Sequence, residues 1–285
     1  MFKKKSDHVV GLELDTGEAR VVELCGNARA PSLAAWGRTP LPKGSMSEGM
    51  VNDPDAVAKA LKELWAKSRV SSNRIVLGIA NQGVLVRFVN MPKVPADKVG
   101  QVIRYQAQDY LPMAVDSTIM DYAVLGEKTS EDNKVLEVLL VAAKKDMVER
   151  FLNTLGKADL KTQDIGVSAL NLIRMVPAAG VGQGATALVD IANGLSNVVV
   201  VDKGIPRFAR QISAGLQDLA TTANYELSDV LGVGNNQAVQ DWIKSLTAEV
   251  RSSLSYYQGQ PGAVSISDIV LSGRGARIAG LVQQL

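Results

Sequence analysis

The sequence predicts an α/β protein of two lobes with a small α+β insert, and three observations predict it. A unit of strand, acid, polar turn and strand, VVGLELDTGEARVVEL from Val9 to Leu24, returns as ALVDIANGLSNVVVV from Ala187 to Val201. Short apolar strands alternate with stretches whose apolar residues recur at helical spacing. From about Val84 to Asp164 the order is strand, helix, strand, strand, helix, the pattern of a compact sheet with helices over one face. The length agrees: 285 residues bury about 70–75% of the unfolded surface and divide into two lobes more readily than one.

Each element follows from local chemistry. Val9–Leu14 and Ala19–Leu24 are strands joined by the hairpin turn Asp15-Thr16-Gly17-Glu18. Pro31 to Met50 is a Pro/Gly-rich connection. Asn52-Asp53-Pro54 starts a helix, since Asn or Asp caps well and Pro suits the first turn, and Val57, Leu61, Leu64 and Trp65 form its buried stripe. Ile75–Ala80 and Val84–Val89 are strands around Asn81-Gln82-Gly83. Ala96–Tyr110 is a helix with Val99, Ile103, Ala107 and Tyr110 on one face, and Pro112 stops it. Ile119–Leu125 and Val135–Ala143 are strands around the charged turn Glu127–Lys134. Lys144–Leu155 and Val167–Val176 are helices, and Gly180–Gly184 is a joint between lobes. Ala187–Ile191 and Asn197–Val201 form the second hairpin, extended by Arg207–Gln211. Gly215–Leu231 and Gln237–Tyr257 are helices, the second buried along Trp242, Leu246, Val250 and Tyr257. Ile269–Leu271, the turn Ser272–Gly275 and then Ala276–Leu285 end the chain. The first lobe is thus 1–83 with 166–184, the insert 84–165 and the second lobe 185–285, with a helical subdomain at about 215–260.

Composition excludes several classes. A formal charge of +2 gives no argument for nucleic acid or an anionic membrane as main partner. Lys3-Lys4-Lys5 is too short to anchor the chain and reads as a solvated terminus. The single cysteine, Cys25, makes no internal disulfide and fits a reducing compartment. Phe2 is followed by lysines rather than an apolar signal core, and no run reaches the ~18 apolar residues of a membrane span. A cytoplasmic chain is expected, with membrane contact only through a partner. His8 is the only histidine, so a Ser–His–Asp triad would rest on one residue near the chain's start, and one Cys with one His makes no zinc site.

The hairpins carry the candidate chemistry. Glu13 and Asp15 alternate with Leu12 and Leu14, so both carboxylates leave the strand on one side. A carboxylate there can hold Mg²⁺ through water, and Thr16 and Gly17 offer a hydroxyl and backbone donors to phosphate. Asp190 ends an apolar strand, where a carboxylate must be hydrogen-bonded, solvated or metal-linked, and Asn193-Gly194 makes the turn. Each hairpin alone reads as a tight turn with solvated acids. As a pair they frame a cleft with Glu13 and Asp190 as candidate metal ligands. The third element, Ser272-Gly273-Arg274-Gly275, lets backbone approach a flat ligand such as a purine. It is neither a P-loop nor a dinucleotide fingerprint. Paired carboxylates would also suit a hydrolase, and nothing selects that reading.

Several stretches carry a family resemblance: VRFVNMPKVP from Val86 to Pro95, IRYQA from Ile103 to Ala107, QDYLP from Gln108 to Pro112, DYAVL from Asp121 to Leu125 and LLVAAKK from Leu139 to Lys145. Later come Asp190-Ile191, FARQI from Phe208 to Ile212, EVRSSL from Glu249 to Leu254 and Leu271-Ser272-Gly273. On these residues, spread over nearly all of the chain, it resembles the PilM family of cytoplasmic actin-like proteins of type IV pilus assembly, and more distantly the cell-division protein FtsA. The resemblance implies a two-lobed actin-like ATPase (ribonuclease-H-like) fold with an inserted small domain, and ATP with Mg²⁺ between the lobes. It implies a scaffold peripheral to the inner membrane, binding the N-terminal cytoplasmic peptide of a PilN-like membrane protein and connected to the pilus assembly platform and its motors. It also implies a peptide groove between first lobe and insert, with Val86, Phe88, Met91, Ile103, Ala107 and Leu111 as lining residues.

The departures bear on the nucleotide. Where the family reads Asp-Ile-Gly-Ser/Thr, this chain has Glu13-Leu14-Asp15-Thr16, and Arg20 stands where the family carries lysine. The second Asp-Ile-Gly is Asp190-Ile191-Ala192, the double glycine after Arg210 is Gly215-Leu216, and the adenine-side Ser-Gly-Gly is Ser272-Gly273-Arg274-Gly275. Four glycine positions have gained side chains. A Cβ blocks close backbone approach, and the Asp15 carboxylate repels a triphosphate unless a metal bridges them. The expectation is a non-catalytic or weakly ATP-binding scaffold. The alternative is a slow Mg-ATP-dependent switch, with Glu13 and Asp190 on the metal and Thr16, Gly17, Arg20, Asn193, Gly215 and the Ser272–Gly275 turn around ATP. The family continues past the position of Leu285 with sheet and helix, so the second lobe is expected to be short at its end.

Overall fold

A computed structural model of the protein describes residues 8–27, 30–130, 133–179, 184–232, 234 and 236–285. Lys3–Lys5 and residues 180–183 of the predicted joint lie outside them. The first lobe begins with Val9–Asp15 (β1) and Glu18–Asn27 (β2), paired antiparallel so that Asp15 faces Glu18 across Thr16-Gly17. Val10, Leu12, Leu14, Ala19 and Val21 are buried, as period-two apolar spacing requires. The expected 31–50 connection is in part a third strand, Ala30–Pro40 (β3), paired with β2. Its two prolines lie near the ends of an edge strand, where a missing N–H breaks no central ladder. A small ladder joins Met46–Ser47 (β4) to Met50–Val51 (β5).

Pro54–Ser68 (α1) starts as its sequence predicts: the Asp53 carboxylate accepts the amides of Asp55 at 3.1 Å and Ala56 at 3.0 Å. Val57, Leu61 and Leu64 pack under the sheet. Arg74–Ile79 (β6) then runs parallel to β1.

The insert is a three-stranded antiparallel sheet covered by one helix. Val84–Pro92 (β7) leads into Ala96–Tyr110 (α2), then Thr118–Ser130 (β8) and Asn133–Lys144 (β9), with β9 central. The predicted turn Glu127–Lys134 is mostly strand: Glu127 pairs with Leu136 and Ser130 with Asn133, and residues 131 and 132 lie outside the described residues. Alternation permits this, because charged Glu127 and Lys128 remain at the exposed end of the ribbon.

The chain returns to the first lobe earlier than its element order suggests. Lys145–Lys157 (α3) turns Met147, Val148, Phe151 and Leu155 into the core beneath α1, and Lys161–Val167 (β10) pairs in parallel with β6. The expected helix over Val167–Val176 is reduced to Ser168–Asn171 (α4) followed by a 3-10 stretch, Leu172–Ala179. β-Branched Val167 ends a strand instead, and Pro177 biases the residue before it away from α geometry.

The second lobe repeats the first. Ala185–Ile191 (β11), Ser196–Asp202 (β12) and Ile205–Ile212 (β13) form an antiparallel meander, and Ile266–Ser272 (β14) joins β11 in parallel. The sheet orders are β10-β6-β1-β2-β3 and β13-β12-β11-β14. β11 and β12 are buried at every residue, which explains their unbroken apolar runs. Leu216–Ala223 (α5) and Gln237–Gln258 (α6) cover one face with Leu216, Leu219, Val239, Ile243 and Leu246. The helix expected over Gly215–Leu231 stops early because Asn224 turns left-handed at φ 57°. On the other face, Ala169 of α4 packs against Leu188, Val199 and Val201.

One buried charge ties the first sheet to the loop beyond α1. The Glu23 carboxylate accepts the Ser71 amide at 2.8 Å, the Ser71 hydroxyl and a His8 ring nitrogen. Glu23 is 1% exposed, so removing it loses three hydrogen bonds to a charged acceptor and leaves a cavity in its place. Glu23→Ala is expected to lower stability by about 2 kcal/mol and the melting temperature by about 4–8 °C, read by thermal denaturation. A drop under about 1 °C would contradict this anchoring role.

Candidate functional site

The two hairpins meet at the cleft, and they meet through Asp15. Its Oδ2 accepts the backbone amide of Asn193 at 2.9 Å and the Arg20 guanidinium at 3.1 Å. Its Oδ1 accepts the amides of Thr16 at 2.7 Å and Gly194 at 3.1 Å. The Asn193 side chain, fully buried, donates to the Thr16 carbonyl at 2.9 Å and accepts from Arg274 at 3.1 Å. Arg274 also donates to the Leu227 carbonyl, so its guanidinium is turned onto the second hairpin. Thr16 Oγ1 lies buried without a hydrogen-bond partner among the described residues, on the side where a Cβ on Gly194 would collide with it. Gly194 is therefore required by close approach.

The remaining predicted residues sit around this contact. Glu13 lies 3.2 Å from Arg20, which also reaches Glu18 at 3.9 Å. Asp190, at the end of β11, is 8% exposed and stands in register with Ser272 of β14. Burial raises the Asp190 carboxyl above its ordinary value, against hydrogen bonds from Ser272 and Asn197 and the charge of Arg20. Burial likewise raises Glu13, with Arg20 opposing it and Asp15 and Asp190 adding to it. Gly17 packs beside Leu227. Gly273, at φ +81°, has no room for a Cβ beside the Ile191 carbonyl, and Gly275 packs on the Ile191 side chain. Gly215 abuts Asn193 and Gly194, and the amides of Leu216 and Gln217 at the start of α5 donate to the carbonyls of Ala192 and Asn193.

Whether ATP and Mg²⁺ fit can be tested on this geometry. Between Glu13, Leu14, Asp15, Gly49, Asp190 and Ala192 there remains a void of about 10 Å³, at the lower limit for one water. The Asn193 and Gly194 amides, which a phosphate would need, are held by Asp15, and the first amides of α5 by carbonyls. In this arrangement those amides are already occupied and offer a phosphate no free donor. Among the described residues no group of three or more His, Cys, Asp or Glu is placed to hold a metal ion. Beside the contact a cavity of about 490 Å³ stays open, lined by Gly11, Glu13, Arg20, Leu172, Asp190 and Ser272. Sequence reasoning brought Glu13, Asp15, Thr16, Arg20, Asp190, Asn193 and the Ser272–Gly275 turn to one place. It missed Gly194, Asn197 and Leu227; only the Asn193-Gly194 turn signal pointed toward the first of these.

The six residues of the implied peptide groove divide by strand parity. Met91, Ile103, Ala107 and Leu111 are buried in the insert's own core, between the sheet and α2, and of the four Ile103 also borders a cavity beside Tyr122. Helical and strand periodicity turns them there, together with Val89, Val99 and Val138. Val86 and Phe88 are half-buried on the opposite face, with Leu139 and Val141 as their register partners.

Two sheets of matching strand order, with their hairpins facing across a cleft, define an actin-like protein of the ATPase fold. The chain belongs to the PilM family: the model for type IV pilus assembly protein PilM matches residues 11–285. Among solved structures, a PilM–PilN type IV pilus biogenesis complex is similar at 25% identity and TM-score 0.83, over 96% of this chain and 84% of that one. The ethanolamine utilization protein EutJ of Carboxydothermus hydrogenoformans is similar at 13% identity and TM-score 0.56, over 98% and 80%. The cytoplasmic domain of EpsL, an inner-membrane component of the type II secretion system of Vibrio cholerae, is similar at 10% identity and TM-score 0.50, over 98% and 94%. These last two share the fold.

The raised carboxyl makes a pH prediction. Because Asp190 is held above its ordinary value, its neutral form favours the folded state below that value, and the advantage is lost as pH rises through the folded-state value. Asp190→Asn is therefore expected to melt higher than the parent at pH 7, with the gap closing toward pH 4. A gap of constant size across melts from pH 4 to pH 8 would refute it.

Proposed function

We propose that this chain is an adaptor of type IV pilus assembly that holds the N-terminal cytoplasmic segment of a PilN-like inner-membrane protein and needs no nucleotide to do so. Through that partner it would be peripheral to the inner membrane and connect to the assembly platform and motor. The observation that carries the reading is the incompletely covered face of the insert's sheet, where Val86 and Phe88 are half-buried and Ile119 is 47% exposed. β7 is also an edge strand, and a cavity of about 260 Å³ opens beside it, bounded by Val86, Val167, Ala169, Ala209 and Gln211. An extended apolar peptide can take main-chain hydrogen bonds from such an edge and seat alternate side chains beside it. The similarity to a PilM–PilN complex over 96% of the chain supports the choice of partner.

Calorimetry with a synthetic peptide from the N-terminus of the PilN-like protein encoded beside this one should give a dissociation constant on the order of micromolar. MgATP should leave it unchanged. Val86→Asp should weaken binding by about tenfold or more with little change in melting, since the residue is only half-buried. Met91→Asp should instead unfold the insert, since Met91 is 1% exposed. Folded protein that binds no peptide would overturn the assignment.

A further inference from the structure

We infer that Asp15 is a built-in substitute for a ligand's phosphate: its carboxylate fills an anion seat made by the second hairpin and holds the two lobes together without any nucleotide. The seat is the pair of backbone amides of Asn193 and Gly194, which converge on one carboxylate from the other lobe at 2.9 and 3.1 Å. Converging backbone amides at a turn form the concavity that anions occupy. Arg20 supplies the positive charge that an oxyanion in this position requires, at 3.1 Å. The carboxylate is anchored on its own side by the Thr16 amide, so it needs no further ordering to occupy the seat. The clasp is reinforced by the Asn193 side chain on the Thr16 carbonyl, and that side chain is itself held by Arg274.

Two details favour this over an incidental contact. The void left at the junction is about 10 Å³, so the carboxylate fills the seat rather than lying at its rim. Asp15 is 7% exposed, and all four of its hydrogen bonds are to charged or backbone donors, the strong class for a carboxylate. In an ordinary ligand-gated cleft the anion arrives with the ligand and closure follows its concentration. Here the anion is covalently part of one lobe, so closure is present at all times. The inference stands on the cleft geometry and not on the partner assigned above, so failure of peptide binding leaves it intact.

Hydrogen–deuterium exchange on the wild-type protein, with no ligand added, tests it first. The Asn193 and Gly194 amides should exchange slowly, and neither millimolar pyrophosphate nor MgATP should slow them further. Fast exchange at both, or protection that appears only with MgATP, overturns the proposal. In Asp15→Gly the same amides should exchange about tenfold faster or more, and pyrophosphate should restore protection and raise the melting temperature. A folded Asp15→Gly protein whose amides stay protected, or that responds to neither pyrophosphate nor MgATP, also overturns it. If that variant does not fold, Asp15→Asn keeps the shape while losing the charge, and should show the faster exchange without the phosphate response. Unchanged exchange in Asp15→Asn counts against the proposal.

Discussion

One carboxylate accepts backbone amides from both lobes, and the arrangement of the cleft depends on it. Asp15 extends from the first hairpin to the turn of the second, and Asn193, Arg274 and Gly194 are placed by that contact. Without it the second hairpin's amides would lose their partner, while Arg20 would keep Glu13 and Glu18. Beside it, burial raises the Asp190 carboxyl above its ordinary value, against the hydrogen bond from Ser272 and the charge of Arg20. The lobes also share apolar contact through Ala169 and Leu188 on the far side. A polar clasp thus joins the lobes on one side and an apolar contact on the other.

Much of this was legible in the sequence, for identifiable reasons. The two hairpins announced themselves by repetition, and the fully buried strands by apolar runs such as Val198–Val201. Helix α1 was readable from Asp53-Pro54, and α2 from its spacing and Pro112. What was hidden depends on tertiary pairing. β3 is a strand because β2 offers it an edge, although its own prolines and glycine suggest a loop. The place of α3 in the first lobe's core follows from which face meets which sheet, and sequence order carries no record of that.

The site was legible in its members and not in its chemistry. A glycine position occupied by aspartate was expected to repel a triphosphate unless a metal bridged them. The structure puts that aspartate in contact with the amides a phosphate would use, so repulsion is replaced by occupation. A sequence records that Asp15 is charged; only the fold records that Asn193 and Gly194 turn their amides toward it. The same limit governs the insert, where strand parity separates Val86 and Phe88 from Met91.

The insert is fastened at both ends of its sheet. β7 and β9 are paired without interruption from Val84↔Ala143 to Pro92↔Val135, and Glu137 of β9 is bonded at 2.7 Å to Arg207 of the second lobe. A pull directed along β7 therefore acts in shear: the whole ladder is loaded at once instead of opening bond by bond from one end. The load also passes through Arg207 to the second lobe as well as along the chain to the first. A segment paired beside β7, as proposed above, would then load both lobes, the first through the chain at the Val84–Ala143 end and the second through the Glu137–Arg207 ion pair.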